Sequence, residues 1–200
     1  MPILQAQHIQ KQYHSNRVLK GIDLSIEPGT LVGVVGENGS GKSTLLTILA
    51  GELRADEGAV RVGGSIGYCP QQPVVNESLT VAEHLAYFKE AYKLRDTQYA
   101  EHLIDELHYR KFEHEKAGNL SGGTRQKLNL TIALMHQPAV LLLDEPYQGF
   151  DWETYLHFWD IVEELKRSGK AVVVISHLIF EQKKFDRILQ LKDGRIEETK

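Results

Sequence analysis

Residues Gly36-Glu37-Asn38-Gly39-Ser40-Gly41-Lys42-Ser43-Thr44 constrain this chain more than any other stretch. An apolar run, Leu31 to Val35, leads into them, and Leu45, Leu46, Ile48, Leu49 and Ala50 continue as a helix-prone segment. Strand, glycine loop and helix in that order are the context a phosphate-binding loop needs. The glycines let successive backbone N–H groups turn inward at phosphate oxygens. The helix that follows adds roughly half an elementary charge at its N-terminus. Lys42 can reach the β- and γ-phosphates, and the Ser43 hydroxyl is placed to ligate Mg²⁺. The stretch therefore reads as a nucleotide site built from Gly36, Asn38, Gly39, Ser40, Gly41, Lys42, Ser43 and Thr44.

The 200 residues are enough for one well-buried α/β domain with a small subdomain, and too few for two full domains. A net charge of −4 argues against nonspecific nucleic-acid binding, which is driven by neutralising phosphates, so no nucleic-acid partner is expected. Cys69 is the one cysteine, so no intrachain disulfide forms. The start, Met1-Pro2-Ile3-Leu4-Gln5, lacks the basic and apolar regions of a signal peptide. No apolar run approaches the roughly eighteen residues that span a bilayer. A soluble protein is expected, or one held at a membrane by something else.

Alternation at Leu4, Ala6 and His8, and again from Val18 to Ile26, predicts two short strands around a Ser15-Asn16 turn. Thr30 to Val35 reads as a buried strand, and Gly51 as the glycine that ends the helix begun near Lys42. Ala59–Val62 and Ile66–Cys69 are further strands, the second stopped by Pro70 and Pro73. From Leu79 to about Met135 the pattern turns helical, with Val81, Leu85, Phe88 and Tyr92 at spacings of three and four. After Pro138 the alternation of strand and helix resumes: strand Ala139–Leu143, helix Trp152–Lys166 and strand Ala171–Ile175. A short helix near Ile179–Lys184, strand Arg187–Leu191 and a hairpin at Asp193-Gly194 complete it. Core strands separated by helices imply a mainly parallel sheet covered on both faces. We read residues 1–200 as a single domain with a helical insertion at about 72–136.

Two more stretches carry chemistry. Val140-Leu141-Leu142-Leu143 ends in Asp144-Glu145-Pro146, two acids at the carboxyl end of a buried strand, where ligands of open α/β sheets bind. Asp144 suits Mg²⁺ or its water shell. Glu145 is placed to activate a water, a role worth roughly 10²–10⁴ in rate. Asn119-Leu120-Ser121-Gly122-Gly123-Thr124-Arg125-Gln126 opens a helix with a free hydroxyl and exposed N–H groups, a second anion site. One phosphate loop has no internal use for it. Two copies arranged head to tail would use both, each completing the other's site.

Phosphate loop, Leu-Ser-Gly-Gly-x-x-Gln and Leu-Leu-Leu-Asp-Glu-Pro, in that order, resemble the ATP-binding subunit of ABC transporters across essentially the whole chain. The resemblance implies a P-loop NTPase fold, α/β with a mainly parallel core sheet, an N-terminal antiparallel β subdomain and the helical insertion. It implies that Tyr13 stacks on adenine, and that Gln71 touches Mg²⁺ and the attacking water, with Gln72 as the neighbouring register. It makes His177 the γ-phosphate switch, Asp151 the aspartate of the loop that communicates across the dimer, and Ser121, Gly122 and Gly123 the grip on the opposing nucleotide. The loop departs from the commoner Ser-x-Leu-Asp form, reading Gln148-Gly149-Phe150-Asp151. The other eight of the nine histidines show no metal-ligand spacing and read as surface or core residues.

The expected function is MgATP hydrolysis in a homodimer or paralogue heterodimer that powers a separate transmembrane permease subunit. The chain would sit peripherally on the cytoplasmic face of the membrane. Docking is expected near Gln71 to Val75 and the helices from Leu79, with Tyr87 and Phe88 as possible contacts. Glu77 to Leu85 resembles bacterial exporters, and no extra regulatory domain follows the Asp193-Gly194 hairpin, so export is favoured over import. The alternative is a soluble ABC-type ATPase acting on ribosomes or DNA.

Overall fold

The fold is described from a computed structural model, covering residues 1–175 and 183–199. Strands β1 (Leu4–Tyr13) and β2 (Asn16–Ile26) form a hairpin, followed by β3 (Leu31–Val35), α1 (Lys42–Leu49), β4 (Glu57–Val62) and β5 (Ile66–Cys69). Three helices come next: α2 (Val81–Ala91), α3 (Gln98–Glu106) and α4 (Gly122–Leu134). The chain then runs through β6 (Val140–Asp144), α5 (Trp152–Arg167), β7 (Ala171–Ile175), β8 (Arg187–Lys192) and β9 (Arg195–Glu198).

The strands form two sheets. One is antiparallel, in the order β2-β1-β4; the other has the order β5-β6-β7-β3-β8-β9 and is parallel except for the last hairpin. Strands β6 and β7 are buried at every residue, which is why they read as unbroken apolar runs. Their side chains alternate between two cores. Leu141, Leu143, Val172 and Val174 pack with α4 and α5. Val140, Leu142, Val173 and Ile175 pack with α1 and the antiparallel sheet. The carboxyl ends of β3, β5 and β6 thus open along one edge of a sheet covered on both faces.

Local chemistry sets the boundaries. Gly51, at φ 80°, closes α1, with its N–H on the Ile48 carbonyl and that of Glu52 on Thr47. Thr80 and Glu83 form a reciprocal capping box at the start of α2. Asp193 and Gly194 both have positive φ, the geometry of a type I′ hairpin.

The first strand departs from expectation. The buried series runs Leu4, Ala6, Ile9, because the β1 register shifts after Ala6 and His8 adopts a left-handed φ of 52°. The His8 N–H donates to Asp23 Oδ1 at 2.9 Å and the imidazole lies outside the core. A bulge, which alternation alone does not reveal, moves the apolar face by one residue. The helix expected near Ile179 to Lys184 lies largely outside the described residues.

Candidate functional site

The phosphate loop is shaped by close approaches that only glycine allows. A Cβ on Gly36 would lie 2.4 Å from the Leu191 carbonyl oxygen, and one on Gly41 2.7 Å from Val18 Cγ1. Lys42 is buried, and its Nζ donates to the Gly36 and Glu37 carbonyls at 2.9 Å each, so the ammonium lies inside the loop. Burial pulls the Lys42 pKa below the ordinary lysine value, and the charges of Glu145 and Asp144 partly offset that. Ser40 Oγ is buried with no hydrogen-bond partner among the described residues. An unsatisfied hydroxyl and a buried cation under inward-turned glycines fit a polyanionic phosphate chain.

A cavity of about 470 Å³ lies against this loop, lined by Gly39, Lys42, Ser43 and Thr44 together with Gln71 and Glu145. Glu145 follows β6 in a left-handed conformation, φ 47°, unusual for a residue with a side chain. Gln71, just past β5, donates from Nε2 to Glu145 Oε2 at 3.1 Å, while Gln72 is exposed. Asp144 is only 2% exposed, at the end of β6. Ser43 and Asp144 offer the hard oxygen donors that suit Mg²⁺.

A second cavity of about 410 Å³ borders the outer face of the loop, lined by Asn16, Arg17, Lys20, Gly36 to Ser40 and the β8–β9 turn. Tyr13, 44% exposed, pairs across the hairpin with Asn16, which lines this cavity. Arg17 and Lys20 are cations that the motif reading did not single out.

Ser121, Gly122 and Gly123 lie elsewhere. Ser121 caps α4, with Oγ accepting from the Thr124 N–H at 3.2 Å. Gly122 and Gly123 line a cavity of about 450 Å³ with Gln71, Gln126, Gln148 and Gly149. Within one chain, then, the second anion site does not meet the phosphate loop, and Gln71 borders both cavities.

A family profile described as ABC transporter matches residues 19–148. The chain belongs to the ABC transporter ATP-binding family. The ABC transporter ATP-binding protein MJ1023 of Methanocaldococcus jannaschii is 30% identical, covering 97% of this chain and 76% of its own length. The linearmycin resistance ATP-binding protein LnrL of Bacillus subtilis is 31% identical, over 90% of this chain and 62% of its own. The chain spans only 28% of ABC transporter G family member 20 of Dictyostelium discoideum. The dimeric ATP-binding cassette MJ0796, solved in a post-hydrolysis state with ADP and Pi, superposes with a TM-score of 0.90 at 27% identity, over 98% of both chains. This chain is an ABC-type ATP hydrolase with the P-loop NTPase fold expected from its motifs.

In this ABC cassette, Asp151 is held within its own chain. It caps α5, accepting from the Thr154 N–H and hydroxyl at 2.9 Å each and from Lys127 Nζ at 3.4 Å. The Thr154 N–H bond, above all, lowers the Asp151 pKa to about 2. His177 lies outside the described residues. Sequence reasoning missed the side chains that brace the site from α4. Lys127 Nζ donates to Thr154 Oγ1 at 2.7 Å, and Asn129 Nδ2 to the Pro70 carbonyl at 3.2 Å, while Asn129 Oδ1 accepts from the Val74 N–H at 3.4 Å. Asn129 thereby holds both ends of the Gln71 loop. The burial of this lysine and asparagine, unusual for either residue, marks the brace in the structure and does not show in the sequence.

Two of the histidines read as surface or core residues come together near the surface. His108 and His157, far apart in sequence, lie together beside Glu153. Sequence spacing missed them because their proximity comes from the packing of α3 against α5.

Proposed function

We propose that this ATPase binds MgATP between two head-to-tail copies, or with a paralogue, and couples its hydrolysis to transport through a separate membrane subunit. One observation carries the reading: Lys42, Ser43, Gln71 and Glu145 converge on one cavity while Gly122 and Gly123 line another. A second copy supplying Ser121, Gly122 and Gly123 would complete the phosphate site. The dimeric relative with ADP and Pi supports that arrangement.

Ser43 and Asp144, with Gln71, would hold Mg²⁺, which supplies positive charge to the phosphate oxygens. Lys42 exchanges the Gly36 and Glu37 carbonyls for phosphate oxygens. Glu145 takes the proton of the attacking water, and Gln71 orients its carboxylate. Positioning and charge neutralisation do most of the work. By the family resemblance Tyr13 stacks on the adenine, His177 meets the γ-phosphate, and Asp151 fixes the loop that faces the second copy.

Residues 72–136 act as the helical arm of a single ATPase unit, and the membrane subunit docks on it near Gln71 to Val75. Val74 and Tyr87, 74% and 63% exposed, support that surface; Phe88 is half-buried. No described helix is long and apolar enough to cross a membrane. We favour export on the Glu77 to Leu85 segment. Isolation from membranes at low salt, followed by identification of co-purifying chains, tests the coupling. A polytopic membrane protein is expected; stimulation by ribosomes or DNA, without such a partner, would point to the alternative.

A further inference from the structure

We infer that His108, Glu153 and His157 form a binding site for a transition-metal cation of the Zn²⁺ type, at the seam between α3 and α5. Their ligand atoms all lie within 4.8 Å of one another. Tetrahedral zinc with bonds near 2.1 Å holds its ligand atoms roughly 3.4 Å apart. Small side-chain rotations at an exposed seam close that difference. Two imidazoles and a carboxylate are the donor set that borderline cations select, and they leave a fourth position for water.

Three features of the fold build the cluster. Glu153 and His157 are four residues apart on α5 and project from one face. His108 follows α3 at φ 56°, with its N–H on the Asp105 carbonyl and that of Tyr109 on Ile104. Glycine is the usual residue at that closing position. Here histidine occupies it, and its ring sits 4.7 Å from that of His157. The third feature is charge. Glu106 Oε2 lies 3.4 Å from His157 Nδ1, and Glu153 Oε2 lies 3.9 Å from His108 Nδ1. Neither glutamate makes a lysine or arginine salt bridge among the described residues. Two carboxylates beside two imidazoles match the charge of a divalent cation, and Glu106 is placed to orient His157 from outside the ligand set.

The site joins the C-terminal end of α3, within the helical insertion, to α5 of the core, remote from the phosphate loop in the order of the chain. A bound cation pins the two together.

Chelator-treated protein titrated with Co²⁺ is the direct test, because tetrahedral cobalt gives intense visible absorption. One equivalent per chain is expected, displaced by Zn²⁺. His108→Ala and His157→Ala should each abolish the band. Glu106→Gln should weaken binding by roughly tenfold or more, and His114→Ala should leave it intact. Zn²⁺ should raise the melting temperature of the parent and not of the His108→Ala/His157→Ala double variant. A parent without the cobalt band, or one whose metal affinity is unchanged in the double variant, overturns the assignment.

Discussion

Gln71 and Glu145, 74 residues apart in sequence, are joined by a 3.1 Å hydrogen bond from the amide Nε2 to carboxylate Oε2. The loop after β5 is thereby tied to the acid that ends β6, so the carboxylate's direction depends on where that loop sits.

Glu145→Gln keeps the shape of this contact and removes the carboxylate proposed as the base. Turnover should fall by roughly 10²–10⁴, with ATP affinity retained and dimerisation in ATP strengthened. ATPase assays and equilibrium nucleotide binding on the same preparation check it; a variant that hydrolyses like the parent would falsify the assigned base.

Gln71→Ala leaves Glu145 in place and removes the 3.1 Å contact from the Gln71 amide. We expect kcat to drop by roughly 10- to 100-fold, with little change in KM. Steady-state kinetics separate the two.

Gly149 sits at φ 79°, and a Cβ there would lie 3.2 Å from Gly123 Cα. Gly149→Ala should destabilise the fold by about 1–3 kcal/mol through the strained backbone alone. Gly123→Ala should be worse, since its Cβ would lie 2.2 Å from the Gly149 carbonyl oxygen. Thermal melts rank the variants, and a parent-like Gly123→Ala would contradict the packing.

Asp151 caps α5, and its removal in Asp151→Ala should cost about 1 kcal/mol near neutral pH. The folded pKa, about 2, is depressed below the ordinary 3.8. The stabilising charge is therefore fully present above the ordinary value and is lost as pH falls toward 2. Urea melts of parent and variant should differ at pH 7 and draw closer below pH 4; a gap that widens on acidification would rule the cap out.

A composite site makes activity depend on encounter. Specific ATPase activity should rise with protein concentration, checked by assays across the dimerisation range. Constant turnover from a proven monomer would argue against sharing of the site.

The strands β3, β6 and β7 were legible because burial on both faces leaves only apolar residues, and the loop at Gly36 to Thr44 because its chemistry tolerates few alternatives. The ends of α1 and α4 were legible from Gly51 and Ser121. Three features were not. The His8 bulge depends on a pairing register, and the His108–His157 pair on how two helices pack. The contacts of Lys127 and Asn129 depend on which face of α4 turns inward, and α4 is apolar enough on several faces to hide it. Each is a tertiary fact written in residues that look ordinary locally.

Ser121 caps helix α4, and Asn129 grips Pro70 and Val74 about two turns further on, roughly 12 Å along the axis. A helix of this kind resists compression far more than a loop does. In the proposed dimer, displacement of the Gln71 loop by one nucleotide would be delivered along α4 to the serine that would meet the other. The two halves of a dimer built this way would act as levers on each other, each nucleotide setting the grip on its neighbour.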